Sequence, residues 1–223
     1  MVKPRISHTD HGITGEFNTK TYDKMMRRLR DRGWILETKM IIGAGISSGL
    51  ALELGPGPGY LGLEWLKHTQ GTILWGQDIS EDMIDIAERN AREYGLTDRV
   101  KYVRGDAGKM PFESEYFDAV FSNGSLHEWA NPEEILNEIA RVLKPGGRYR
   151  LSDFMRDMNS LVKWFVWFMN RPKVLRPELV ESFDASYVVG EVEALLARTK
   201  LQGWHVSKNP LGLVVSGQKP IRA

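Results

Sequence analysis

The chain has 223 residues, 42% hydrophobic and 26% charged, and its 30 Lys+Arg nearly cancel its 29 Asp+Glu. That length suits one domain with a substantial core. The charge balance removes the bulk electrostatic case for a nucleic-acid or acidic-membrane partner, leaving room only for a local basic patch. The absence of cysteine excludes disulfides, thiolate metal sites, cysteine-ligated iron–sulfur clusters and a cysteine nucleophile.

Residues 1–8 contain no apolar run of signal-peptide type. His8, Asp10 and His11 are potential ligands on a terminal stretch, but no metal site is expected there. Residues 1–45 read as a helical cap with one helix near 20–32. Its segment 24–32 carries Lys24, Arg27, Arg28, Arg30 and Arg32 against Asp31. A solvated helix face is the plainer reading of such a run, and RNA contact the sharper one.

From about residue 50 short apolar runs alternate with helical patterns, which signals a parallel, doubly wound α/β sheet with helices on both faces. Residues 49–54 form a first strand, 60–68 a helix, and 72–77 a second strand stopping at Asp78. Ser80 caps the next helix, Glu81 and Asp82 suit its first turn, and Gly95 closes it. Residues 99–104 and 117–122 are the third and fourth strands. Asn131 supplies an N-cap and Pro132 a first helical residue. That helix is expected to run to Leu143, with Lys144-Pro-Gly-Gly147 ending it before a fifth strand at 148–153. A helix at 190–199 and two strands near 202–207 and 211–217 complete the chain. The turn at Lys208-Asn-Pro210 makes these last two of seven strands an antiparallel pair.

Residues 154–188 interrupt the alternation with a Trp-, Phe- and Met-rich insertion too long for a plain connection. Its run Leu161–Met169 contains Lys163 and is far short of the roughly 20 apolar residues that span a bilayer. It reads as a core-covering or dimer-forming helix more readily than as a membrane foot, so a homodimer through this aromatic segment is one expectation. Elsewhere it would wall an acceptor pocket.

The chemistry concentrates after the first strand. Gly55, Gly57 and Gly59 let the backbone turn sharply and bring its N–H groups against a ligand. Asp78, at the end of the second strand, is placed to accept from both hydroxyls of an adenosine ribose. A dinucleotide has to be considered, since Gly57-Pro-Gly-Tyr-Leu-Gly62 satisfies G-x-G-x-x-G. That register starts late relative to Leu54, Pro58 removes an N–H, and Glu53 disfavours a phosphate while suiting a positive ligand.

Glu53-Leu-Gly-Pro-Gly-Pro-Gly59 resembles the first motif of class I S-adenosylmethionine-dependent methyltransferases. Gly76-Gln-Asp-Ile-Ser-Glu-Asp-Met83 and Gly105-Asp-Ala-Gly-Lys-Met-Pro-Phe112 resemble their second and third. Phe117-Asp-Ala-Val-Phe-Ser-Asn-Gly-Ser-Leu-His127 and Arg141-Val-Leu-Lys-Pro-Gly-Gly147 resemble the segments around their fourth and fifth strands. The likeness covers about residues 49–153, and its overall feel is of the ubiquinone/menaquinone-biosynthesis type.

The resemblance implies S-adenosyl-L-methionine as cofactor and S-adenosyl-L-homocysteine as product. It implies that Glu53 and the Gly55-Pro56-Gly57 to Gly59 backbone border the methionine part, and that Asp78 holds the ribose. Ile79 and Met83 would flank the adenine, Asp106 would receive its amino group, and the Ala107 N–H would face the ring. Asn123 would lie by the sulfonium arm. Tyr22 is placed either to close over the cofactor or simply to pack.

His127 follows the fourth strand at the sheet's carboxyl edge and is the candidate general base, its alternative role being packing or capping. Glu128 and Trp129 would shape the same mouth. Ser122-Asn-Gly-Ser125 stands where enzymes acting on exocyclic base amines have Asn/Asp-Pro-Pro-Tyr/Phe. The expectation is a single cytoplasmic methyltransferase domain acting on a small organic acceptor. It divides into cap 1–45, cofactor core 46–153, insertion 154–188 and a C-terminal helix and strand pair 189–223. The alternatives are an RNA or protein acceptor met by the basic helix, and a non-catalytic cofactor-binding module acting through a partner.

Overall fold

A computed structural model of the chain describes residues 4–6, 15–169 and 172–221. His8, Asp10 and His11 lie outside the described residues. The central sheet has seven strands in the order β3-β2-β1-β4-β5-β7-β6. Strands β1 (Leu50–Leu54), β2 (Ile73–Asp78), β3 (Val100–Arg104), β4 (Phe117–Asn123) and β5 (Leu143–Asp153) run parallel. β7 (Gly212–Gln218) lies antiparallel between β5 and β6 (Trp204–Asn209). This is the fold class expected from the sequence.

The period-2 alternation of each strand splits the core in two. Leu52, Leu54, Val120 and Leu151 meet Ile135, Leu136 and Ile139 of α5 (Pro132–Val142) and Val192, Leu195 and Leu196 of α8 (Val189–Leu196). Ala51, Ala119 and Phe121 meet Ile41 of α2 (Glu37–Gly43) and Leu63 and Trp65 of α3 (Tyr60–Lys67). Burying each of the larger side chains contributes roughly 1.5–3 kcal/mol. Covered on both faces, the parallel strands need apolar residues in both phases, which is why they read as short continuous runs.

The helix of 14 residues after β2, α4 (Glu81–Tyr94), begins and ends as its sequence requires. Ser80 Oγ accepts the Met83 N–H at 3.4 Å, and Gly95 closes the helix with a φ of 66°. Other boundaries differ from expectation. α1 spans Glu16–Asp31, starting well before residue 20, because Glu16 pairs with Lys20 one turn on and Gly15 with φ 87° sets the entry. A second cap helix, α2, is too short for its periodicity to register in sequence.

Asn131 does not cap α5 through its side chain; Pro132 in the first turn carries that start. Leu143 is no longer helical. It pairs with Phe117, so β5 begins there and absorbs Lys144-Pro-Gly-Gly147 through a register shift.

The insertion forms α6 (Ser160–Met169), a 3-10 turn at Lys173–Leu175, and α7 (Arg176–Ala185). Phe183 of α7 packs edge-on against Phe154 at 5.1 Å, and α7 lies against the 3-10 turn Leu126–Glu128 after β4. The insertion therefore covers part of the sheet's carboxyl edge. Among the described residues no helix is long and apolar enough to cross a membrane.

β7 approaches the end of β5 closely at Gly212, where an added Cβ would stand 1.9 Å from the Asp153 carbonyl oxygen. Backbone cannot step aside as a side chain can. Gly212→Ala is expected to cost about 1–3 kcal/mol, read as a lower urea midpoint; an unchanged midpoint would refute this close approach.

Candidate active site

Sheet order reverses between β1 and β4, and a crevice opens there at the carboxyl ends of the strands. The loop 55–59 occupies it. Gly55 has φ 65°, and a Cβ there would fall 2.3 Å from Ser125 Oγ, so only glycine lets the β1 and β4 loops touch. Gly59 enters α3 in the left-handed region, against the Tyr102 hydroxyl. Pro56 is buried between these two turns.

Asp78 fixes the loop. Its Oδ2 accepts the Gly57 N–H at 3.0 Å and its Oδ1 accepts the Ser80 N–H at 2.9 Å. Burial raises its pKa, opposed by the N–H groups of Ser80, Gly57 and Ile79. Each oxygen keeps a lone pair for a further donor. Ile79 is 42% exposed and forms an open apolar surface beside it, whereas Met83 is buried.

Asp106 is exposed after β3 and accepts the Gly108 N–H at 2.8 Å, while its carbonyl takes the Gln77 amide at 3.0 Å. Ala107 is half-buried in the same turn. Asn123 is exposed at the end of β4 and accepts from Ser152 Oγ at 2.9 Å. The residues singled out by sequence thus follow four adjacent strands along one edge.

Glu53 lies beneath this edge on the α3 face. It is buried, tucked against Gly62, and its Oε2 has no hydrogen-bond partner. Burial and the charge of Asp78 push its carboxyl up to about 8, against the pull of the Gly62 N–H. A buried carboxylate without a counter-charge is costly, so it keeps its proton or waits for a cation.

Tyr22 of α1 roofs the loop, with a ring carbon 3.6 Å from where a Gly57 Cβ would stand. Burial and the charges of Glu128, Asp78 and Glu178 raise its phenol pKa. The helix is held there by Asp23, which accepts from Tyr60 Oη at 2.9 Å, Asn90 Nδ2 at 3.1 Å and Arg89 Nη2 at 2.6 Å. Asn90 also donates to the Pro58 carbonyl at 2.8 Å, joining α4, α1 and the loop.

Next to the loop, His127 sits in the 3-10 turn, 3% exposed. Its Nδ1 lies 2.8 Å from Asp153 Oδ1, and its own N–H donates to Asp153 Oδ2 at 2.8 Å. Nε2 has no hydrogen-bond partner and stands 3.8 Å from Glu128 Oε1. Burial lowers the imidazole pKa, but the Asp153 charge and hydrogen bond, with Glu128, raise it on balance above its ordinary value. An aspartate on Nδ1 leaves Nε2 as the nitrogen able to exchange a proton.

Sequence reasoning missed Asp153, whose signal was its place at the carboxyl end of a parallel strand. Trp129 is buried in the main core, in the cluster that holds Leu52, Val120 and Ile135.

Residues 52–151 match the family model described as a methyltransferase domain. Among curated proteins, the chain is 27% identical over 158 residues to the uncharacterized methyltransferase YcgJ of Bacillus subtilis, covering 70% of this chain and 60% of that protein. It is 28% identical over 153 residues to the ubiquinone/menaquinone biosynthesis C-methyltransferase UbiE of Blochmanniella pennsylvanica, covering 67% and 58% respectively. The chain therefore spans less than two thirds of these relatives' length. A Methanococcus maripaludis structure assigned as an S-adenosylmethionine-dependent methyltransferase shares its fold, with a TM-score of 0.75 at 21% identity over 95% of this chain and 99% of that one.

The buried Glu53 has a measurable signature. Its carboxyl titrates at about 8 in the folded chain against 4.5 as the ordinary value, so the native state holds a proton that the unfolded chain releases. This group's contribution to stability therefore falls as pH rises from about 4.5 to about 8. In Glu53→Gln that fall should be absent from urea midpoints tracked across the same window; an identical pH profile would show that Glu53 is already ionised.

Proposed function

Because residues 52–151 belong to the class I S-adenosylmethionine-dependent methyltransferase family, we propose that the chain moves a methyl group from S-adenosyl-L-methionine to a small organic acceptor. The observation that carries this reading is the pair of buried carboxyl groups, Glu53 and Asp78, beside a glycine loop with no cation among the described residues to balance them. That donor set suits an ammonium and a ribose and repels a pyrophosphate, so the residues present fit this cofactor.

When bound, the cofactor supplies a methyl group already activated by its sulfonium. In this reading Glu53 balances the positive end, with Gly55, Pro56, Gly57 and Gly59 lining it, and Asp78 accepts from the ribose hydroxyls. Ile79 offers a face to the adenine, while Asp106, Ala107 and Asn123 edge the same crevice. Tyr22 keeps water off the loop. The chain's remaining task is to hold a nucleophile in line, a contribution worth several kcal/mol.

His127 is the proton acceptor at the acceptor end, where it lies against α7 and beside Glu128. A hydroxyl or carbon acid near neutral pH would need such a base. An RNA acceptor has less support, since Arg27 and Arg30 turn inward to Glu93, Asn90 and Tyr94.

Calorimetric titration with S-adenosylmethionine and S-adenosylhomocysteine is the direct test. Binding of both is expected, and binding of NAD with no response to either would overturn the reading. Asp78→Asn should weaken cofactor binding by about 1–3 kcal/mol; full affinity would mean the ribose sits elsewhere.

His127→Ala should lower turnover by about 100-fold or more with cofactor affinity unchanged, and unaltered rates would make the histidine structural. Since only the neutral imidazole accepts a proton, turnover should rise with pH through a midpoint above the ordinary 6.5. Asp153→Asn should move that midpoint downward, because burial then acts without the opposing carboxylate.

A further inference from the structure

α6 carries apolar side chains on both sides. Val166 and Trp167 pack on the core, with the Arg176 guanidinium 4.0 Å over the Trp167 ring. Lys163 runs inward and donates to the Arg156 carbonyl at 2.6 Å. The opposite side, Leu161, Trp164, Phe165 and Phe168, has i, i+3, i+4, i+7 spacing and is uncovered, at 76%, 58%, 56% and 41% exposure. Trp164 and Phe168 stack on each other at 5.4 Å. A continuous aromatic stripe of this kind marks an interaction surface.

The adjoining surface identifies what meets it. Shortly after Met169 the chain passes through Pro172 and Val174, which share a groove with Glu16, Phe17, Lys20, Lys24 and Arg28 of α1, where Glu16 pairs with Lys20 and leaves Lys24 and Arg28 to carry the positive charge. The three cations recur every fourth residue and are all exposed, and Phe17 is 68% exposed. Lys173 is exposed beside them. Two other α1 cations, Arg27 and Arg30, engage the fold instead, at Glu93 and over the Tyr60 ring.

We propose that the α6 stripe and the α1 cation row form one docking face for an anionic phospholipid bilayer. α6 has ten residues and is about 15 Å long, so it lies in the interface plane instead of spanning. Trp164, Phe165 and Phe168 enter the headgroup boundary while Lys24 and Arg28 meet the lipid charge. A second copy of the chain would bring an identical cation row, whereas an anionic surface complements it. α1 reaches the crevice through Tyr22 over the loop, and α6 packs on α7, which lies against the His127 turn. The proposal concerns where the chain sits and does not depend on methyl transfer.

The test is flotation of the full chain with vesicles of phosphatidylcholine alone and of phosphatidylcholine mixed with phosphatidylglycerol. Binding is expected with the mixed vesicles only, weakening as salt rises and accompanied by a blue shift of tryptophan fluorescence. Lys24→Ala and Arg28→Ala should each reduce affinity about fivefold. Trp164→Glu with Phe165→Glu should abolish it, with circular dichroism and thermal midpoint unchanged, since both side chains are exposed. Equal binding to neutral vesicles, or none to either, would overturn the proposal. So would a concentration-dependent dimer that the Trp164→Glu variant dissolves, which would assign the stripe to a second copy.

Discussion

The carboxylate of Asp78 holds backbone amides from two different crossovers, Gly57 after β1 and Ser80 before α4. Neither bond involves a cation. The charge is kept by N–H groups and by the positive end of α4, whose first turn begins beside it. One side chain thus sets both the shape of the glycine loop and its distance from the next strand. Its neighbours along the edge inherit that placement: the contact of Gly55 with Ser125, the ring of Tyr22 over Gly57, and the open face of Ile79. Burying Glu53 next to it is costly, and a crevice lined this way gains from a positive ligand where a neutral core would not.

The crevice is built from residues inside and outside the stretch matched by the methyltransferase-domain model. Gly55 to Gly59, Asp78, Asp106 and Asn123 all fall within the stretch matched by the methyltransferase-domain model. Tyr22, Asp153, α6 and α7 fall outside it, and they roof or wall the other half. His127 belongs to the matched stretch, yet the partner that sets its charge state does not. The stretch matched by the methyltransferase-domain model thus holds the glycine loop and Asp78, while the elements packed over them come from residues on either side of it.

The order of strands and helices from residue 50 was legible because apolar periodicity and local stop signals agree there. Ser80 and Gly95 are the cleanest cases, each doing by side chain or backbone what its residue type favours. Misreadings arose where local chemistry pointed one way and pairing another. Pro145, Gly146 and Gly147 look like a helix terminator, but the neighbouring strand draws Leu143 into the sheet ahead of them. Asn131 has the right side chain for a cap and does not use it. Asp153 read as an ordinary strand end, since nothing in sequence shows that the turn after β4 brings His127 back to it across 26 positions. The cap resisted reading for a related reason: α2 is held by the burial of Ile41, a tertiary effect with little local signature.

Asp23 ties the roof to the floor in a way that bears on traffic through the crevice. Swinging α1 aside would strip this nearly buried carboxylate of Tyr60, Asn90 and Arg89 together, and Asn90 would tug on the Pro58 carbonyl as it left. Partial fraying is therefore disfavoured, and the roof lifts as a single hinged panel or stays shut.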